Sequence, residues 1–425
     1  MLALLFIIFF ALLLLSVPVA FALGISALAI FVLEGLSPTI AFQRIANGIS
    51  IYSLIAVPFF IFGGELMLRG GIAERLVSLC QAIFGKLKGG LGVVNVMSSM
   101  VFGGISGSAV ADTSAIGTMM IPAMKKEGYD TDYAVNVTVT SSLAGVLIPP
   151  SHNFILFALA AGGMVSVSDL FLAGVFPGIL MCCILAVVTY AIAVRRNYPS
   201  AEFPGMRVVV ALAMSAIPGV LTGVIIVGGV LSGVVTVTES AAIGVLYALV
   251  VTATLYRSLN YAVIKDCLLT TVRTTGIVVY MVGTAAAFSY LLTFYRAPDA
   301  VINGLLAISD NKFVILLLIN IALIIFGTFM DMAGLILICT PIFLPVAISL
   351  GIDPAHFGVI MVMNLGLGLT TPPVGACLFV GCAIGQIPIE KTVRTILPFY
   401  AAIFVALMLV TFIPAISMWL PNQFR

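Results

Sequence analysis

The sequence predicts an all-α polytopic membrane protein organised around an internal repeat, and three observations lead there. Of 425 residues, 62% are hydrophobic and 8% are charged, whereas a soluble domain carries about 25% charged side chains to cover itself. The apolar residues fall in long continuous runs, where a transmembrane barrel would alternate over segments of about ten residues. Finally, two helix-breaking words, 145-GVLIPPSHNF-154 and 368-GLTTPPVGAC-377, occupy matching places in the two halves of the chain.

Taken in order, the apolar runs lie near 2–33, 50–68, 89–104, 134–161, 170–194, 208–233, 239–256, 274–295, 312–329, 332–350, 357–385 and 397–420. Most supply the roughly 20 residues that a spanning helix requires, giving about 11 spans plus shorter broken or re-entrant pieces. The first 24 residues lack a basic leader and exceed the usual length of a signal peptide, so they are expected to be a retained helix. The seven cysteines have neither metal-ligand nor disulfide-framework spacing and are expected to be small buried hydrophobes. Basic groups at Arg69/Arg75/Lys86/Lys88, Lys125/Lys126, Arg195/Arg196/Arg207 and Arg257/Lys265 mark loops of the kind retained on the cytoplasmic side. Re-entrant segments spoil odd-even counting, so the side of each terminus stays open. Nothing in the chain resembles a nucleic-acid surface.

An offset of 223 residues superposes Gly104 on Gly327, Pro122 on Pro345, Gly145 on Gly368, and Pro149 and Pro150 on Pro372 and Pro373. These are helix-breaking positions, where an apolar composition gives chance little help. Paired units with matching interruptions point to a secondary transporter whose binding site lies where the units meet. In the first unit, Gly103, Gly104 and Gly107 permit a backbone reversal, and Ser106 and Ser108 supply hydroxyls, so a re-entrant helical hairpin with its tip in GGISGSA is expected. Downstream, Gly145, Pro149 and Pro150 interrupt a helix beside Ser141, Ser142 and Ser151. Carbonyls freed there cannot face lipid and are suited to a dehydrated cation. The second unit repeats the pattern with Gly327, Thr328 and Asp331, then Asn364, Gly366, Gly368, Thr370, Thr371 and Pro373.

Asp112 and Asp331 lie ten and fourteen residues before Pro122 and Pro345. The difference is about one helical turn, which would place both carboxylates on comparable faces. Each is open to structural hydrogen bonding or to ion and substrate coupling, because carboxylates in membranes serve both ends. Thr236 and Glu239 form a capping-box pattern. Trp419 and Tyr400 are expected to anchor the final helix at the interfaces. His152 and His356 lack a metal-ligand set, no Ser-His-Asp constellation can be assigned, and there is no GxxxxGK[ST] nucleotide loop.

Several passages together carry a family resemblance: 57-VPFFIFGGELMLRGGI-72, 105-ISGSAVADTSAIG-117, 147-LIPPS-151, 331-DMAGLILICTPIFLP-345, 351-GIDPAHFG-358 and 370-TTPPVG-375. The chain resembles, over almost its whole length, the large membrane subunit of a tripartite ATP-independent periplasmic (TRAP) transporter within the ion transporter superfamily. The resemblance implies an inverted repeat, two re-entrant hairpins and two interrupted helices in an elevator-type transport domain. It also implies a small four-helix membrane subunit and a periplasmic substrate-binding protein as partners. The implied activity is import of an organic anion (sialic acid, sugar acid or dicarboxylate) across the bacterial inner membrane, driven by Na+ and needing no cofactor.

By motif, Ser106, Ser141, Ser142, Gly145, Pro149, Gly327, Asp331, Gly368, Thr370 and Pro373 are the implied ion-binding candidates. Ser108, Asp112, Ser151, Asn364 and Thr371 are candidates for substrate binding or coupling. The expected division is 1–88 N-terminal membrane helices, 89–163 first transport core, 164–265 scaffold and connecting helices, 266–311 connecting region, 312–386 second transport core and 387–425 C-terminal helix. Two departures stand out: His152 follows IPPS where an apolar residue is more usual, and 236-TVTES-240 lacks the commoner proline. Proton coupling, an intramembrane enzyme and a non-transporting membrane protein remain alternatives.

Overall fold

The computed structural model describes residues 1–424, and all regular structure among them is helical. Seven helices are long and apolar enough to cross a membrane, or up to nine if two bent helix pairs each count as one span. That is fewer than the sequence led us to expect, because several apolar runs are consumed by hairpin arms and short helices. The run at 2–33 is one such case. It divides into Leu2–Leu14 and Val19–Leu33, with Ser16 at φ 62° and Pro18 leading into the second helix. Proline has no N–H to continue the preceding ladder, so the single helix expected there does not form.

The repeat is visible in the elements themselves. Gly90–Ser106 and Ala109–Lys126 form the first hairpin, and Lys312–Phe329 and Met332–Ser349 form the second. At the 223-residue offset, the second arms coincide residue for residue. After each hairpin comes an interrupted helix. In the first unit Thr131–Ser141 continues through Ala144–Leu147, breaks over 148–151 and resumes at a 51° bend as His152–Ala160. In the second, Pro354–Leu369 breaks over 370–375 and resumes as Ala376–Gly385.

The correspondence extends beyond the cores. Ile72–Phe84 matches Ala297–Ile308, and Pro38–Ile49 with Ala56–Arg69 matches the unbroken Tyr261–Phe294. The 29-residue Val167–Arg195 matches the pair Leu397–Phe412 and Ala415–Phe424, bent by 53°.

Packing between the units is reciprocal, as an inverted repeat requires. Ala376–Gly385 lies on the second arm of the first hairpin, and His152–Ala160 lies on the second arm of the second. Val167–Arg195 packs on the first hairpin and on both C-terminal helices. Around this core, Val19–Leu33, Pro38–Ile49 and Ala56–Arg69 surround Tyr261–Phe294, while Met206–Leu231 joins Val237–Val250. The Thr236/Glu239 capping box forms as the sequence indicated.

One polar clamp ties the core to the linker after Val167–Arg195. Arg196 meets Asp130 at 2.9 Å and Asp132 at 3.3 Å, and the Tyr198 hydroxyl donates to Asp130 at 2.7 Å. Tyr198 also stacks on Tyr129, with ring centroids 4.4 Å apart. Burial, and then its bond to Asp130, push the Tyr198 phenol up to about 12. A phenol raised above its unfolded value of about 10 contributes stability that is complete below that pH and disappears as pH rises through the folded value. Tyr198→Phe is therefore expected to cost about 1 kcal/mol, seen as a lower melting temperature of the purified protein by an amount that stays constant from about pH 6 to 9. An unchanged melting temperature would show that the clamp does not hold the linker.

Candidate functional site

Each hairpin tip is pressed backbone to backbone against the break of its own unit. A Cβ at Gly103 would lie 2.6 Å from the Gly145 nitrogen, and one at Gly107 would lie 2.6 Å from the Pro150 carbonyl oxygen. Gly107, at φ 63°, makes the reversal that the sequence placed in GGISGSA. In the second unit Gly327 and Gly368 meet in the same way, and the Val374 N–H donates to the Thr328 carbonyl at 3.1 Å. Only glycine allows main chains this close, which explains why the matching glycines of the repeat cluster at these two contacts. Pro149–Pro150 and Pro372–Pro373 are both cis. Pro149 is buried, while Pro373 is exposed.

The residue at each tip is a helix cap. Ser108 accepts from the Ala111 N–H at 3.4 Å, and Asp331, its partner at the 223 offset, accepts from the Ala333 N–H at 3.1 Å. This corrects the expectation that Asp112 and Asp331 are counterparts. Asp331 corresponds to Ser108, and Asp112 lies one turn further along its helix, opposite Leu335 in the other unit. A hydroxyl and a carboxylate cap a helix equally well, so an acidic residue was not needed at both tips. Asp331 is exposed.

Asp112 is fully buried, and neither carboxylate oxygen makes a hydrogen bond of good geometry. The polar group facing it is Ser99, whose hydroxyl accepts from Ser141 at 3.1 Å. The helix Ala376–Gly385 of the second unit packs on Ala109–Lys126, which carries Asp112, and a Cβ at Gly381 would lie 3.8 Å from Thr113 Cγ2. The second unit thus packs on the helix that carries Asp112.

The hydroxyls at the breaks are oriented by their own helices. Ser142 donates to Val139 at 2.8 Å, Ser151 to Val146 at 2.7 Å, and Thr370 and Thr371 each to Leu367 at 2.8 Å. With the proton spent on a carbonyl, each oxygen has only lone pairs left to offer, which suits a cation and not an anion. Asn364, which corresponds to Ser141, donates to Asn320, and its buried Oδ1 has no partner. Ser106 and Ser108 sit half-buried at the edge of a cavity of about 450 Å³ between the first tip, Ala56–Arg69 and Tyr261–Phe294.

Some of the site was missing from the sequence reading. Asn95 donates to Thr138 at 2.6 Å, joining the first hairpin arm to its interrupted helix, and Asn320 donates to Thr411 at 3.3 Å in the other unit. A single amide in an apolar run carries no repeat signal. Tyr400, expected at the interface, donates its hydroxyl to the Thr370 carbonyl inside the second break. Trp419 packs edge-on against Phe176, with centroids 5.3 Å apart. Arg69 and Glu65 line the cavity, 3.1 Å from each other.

Comparison with known proteins agrees with this architecture. The chain is 44% identical to the uncharacterized protein YgiK of Salmonella typhimurium, covering 96% of this chain and 94% of that one. It is 38% identical to the sialic acid TRAP transporter large permease protein SiaM of Vibrio cholerae, covering 96% of both. The crystal structure of the Alcanivorax borkumensis YdaH transporter matches with a TM-score of 0.66 over 90% of this chain and 88% of that one, at 12% identity, a likeness of fold alone. The model of the family described as tripartite ATP-independent periplasmic transporter, DctM component, matches residues 6–416, and the chain belongs to that family as a transporter permease subunit.

Proposed function

We propose that this subunit imports an organic anion across the bacterial inner membrane by sodium-coupled alternating access. It would act with a small four-helix membrane subunit and receive its substrate from a periplasmic binding protein. The observation that carries the reading is the double contact of hairpin tip with helix break. Beside each contact lie buried hydroxyls whose protons are already donated to their own helices, and a carboxylate accompanies each unit at Asp112 or Asp331. Ser141, Ser142 and Gly145 with Ser106 would serve one ion; Gly327, Gly368 and Thr370 with Asp331 would serve the other. Sodium bound at the breaks holds tip and break together and completes the face on which the anion rests. Linkage then requires substrate to raise sodium affinity by the factor that sodium raises substrate affinity. The two-unit core would move against the surrounding frame, as in an elevator, exposing that face to either side.

A second reading, proton coupling, is favoured by Asp112 alone. A buried carboxylate without a hydrogen bond of good geometry needs either a cation or a proton. Reconstitution of the chain with its small subunit and binding protein in proteoliposomes separates the two. Uptake of labelled organic acids driven by an inward sodium gradient, and unaffected when the proton gradient is collapsed, is the expected result. Uptake driven by a proton gradient alone would reject sodium, and no uptake under either gradient would reject transport.

A further inference from the structure

A separate cavity of about 550 Å³ lies between Pro38–Ile49, Tyr261–Phe294 and the core, and it shares no described lining residue with the cavity at the first tip. Arg44 is the one charged residue among those that line it. The guanidinium lies over the Tyr290 ring, 4.3 Å from the centroid, a contact that orients the charge without neutralising it. Among the described residues no carboxylate comes within ion-pair distance of Arg44, whereas Arg69 in the other cavity meets Glu65 at 3.1 Å and Asp266 at 3.5 Å. Cations within a membrane protein pair with an opposite charge or reach the interface, so Arg44 calls for an anion from outside the chain.

The polarity of the cavity is graded along Tyr261–Phe294. Ser289, Tyr290 and Thr293 line it from the last two turns of that helix, and Val282, Ala285 and Ala286 from the turns before. Pro38–Ile49 runs antiparallel alongside, with Arg44 over Tyr290 and Gly48 so close to Ala286 that a Cβ would lie 2.7 Å from the Ala286 Cβ. Val282 and Thr293 are separated by about 16 Å along the axis, at 1.5 Å per residue. A phospholipid has the same order, with a phosphate where the span ends and a chain further in. A small soluble acid would use the polar end and leave the apolar half empty. The described lining also holds no carboxylate for the ammonium of a zwitterionic headgroup, which favours a lipid of net negative charge.

We propose that this cavity binds an anionic phospholipid, with its phosphate on Arg44 and an acyl chain along Val282, Leu159 and Leu337. Leu159 closes the first interrupted helix and Leu337 belongs to the second hairpin, so the lipid bridges the core and the helices around it. Its effect on uptake rests on the transport reading above; the site itself does not.

The test uses the chain purified with its small membrane subunit in detergent and stripped of lipid. Native mass spectrometry and melting curves are recorded with dioleoyl phosphatidylglycerol, dioleoyl phosphatidylethanolamine and inorganic phosphate. Phosphatidylglycerol is expected to be retained and to raise the melting temperature, and the other two to do neither at the same concentration. Arg44→Gln should weaken phosphatidylglycerol binding at least about tenfold, because a charge-assisted bond is lost, and Arg44→Lys should keep part of it. Without lipid, Arg44→Gln should melt as wild type does, since no ion pair within the chain is broken, and this shows that the variant is folded. Leu159→Trp, which fills the apolar half, should also weaken binding, while Arg69→Gln should leave it unchanged. An equal response to phosphatidylethanolamine, a response to inorganic phosphate as strong as to the lipid, undiminished binding in Arg44→Gln or an equal loss in Arg69→Gln would each overturn the proposal. Sodium-gradient uptake in liposomes with and without phosphatidylglycerol reads the bridge separately, and its absence from both would count against transport, not against the site.

Discussion

Gly368→Ala is expected to reduce sodium-driven uptake at least about tenfold, the effect of roughly 1.4 kcal/mol, while the protein still inserts and assembles. The new methyl group would lie 2.5 Å from the Gly327 carbonyl carbon and 2.6 Å from its Cα. These are main-chain atoms of the opposing hairpin and cannot rotate aside. Relief requires the tip and the break to separate, and overpacking of this kind costs about 1–3 kcal/mol. Alanine is the better helix former by about 1 kcal/mol, so a loss of transport would run against intrinsic propensity and isolate the steric cause. Gly366→Ala is the internal control. Its methyl group would meet only the Val146 and Leu143 side chains, at 3.3 and 3.7 Å, and uptake should stay within about twofold of wild type because side chains can shift. Normal uptake by Gly368→Ala would show that the close contact of Gly327 with Gly368 is not what builds the second site.

The same contact explains why so much of the fold was legible in the chain. Proline pairs and glycines act on the backbone directly, so 145-GVLIPPSHNF-154 and 368-GLTTPPVGAC-377 announced both breaks, and their common offset announced the repeat. The hairpin reversal at Gly107 was legible for the same reason. Side-chain function is less strictly coded. A cap needs an oxygen, and Ser108 supplies it where the second unit uses Asp331, so matching by charge paired the wrong residues. Tyr400 looked like an interface anchor because aromatic residues near span ends usually are. Its hydroxyl nevertheless donates to the Thr370 carbonyl. Asn95, Ser99 and Asn320 are polar positions in apolar arms, and only the packing of the arms shows that they bridge to the interrupted helices.

Asp112→Asn should produce the second large effect, and in opposite directions for stability and function. In the folded protein the Asp112 carboxylate is buried without a hydrogen bond of good geometry. A buried charge in that condition is destabilising by several kcal/mol unless a counterion meets it. Asparagine preserves the volume and removes the charge, so the variant should melt at a higher temperature than wild type in sodium-free buffer. Wild type should then gain stability as sodium is added, in proportion to RT ln(1 + [Na+]/Kd), because the ion binds the folded state only. The variant should gain much less, and its sodium-driven uptake should fall by about a hundredfold, equivalent to roughly 2.7 kcal/mol of lost ion binding. Melting curves across a sodium titration, with choline replacing sodium at constant ionic strength, measure both effects in one series. If the carboxylate carries a proton instead, wild type and variant will respond equally to sodium while uptake under a proton gradient disappears from the variant. If Asp112 is only a packed side chain, neither the sodium response nor uptake will change, and coupling must then be sought at Asp331 and the second break alone.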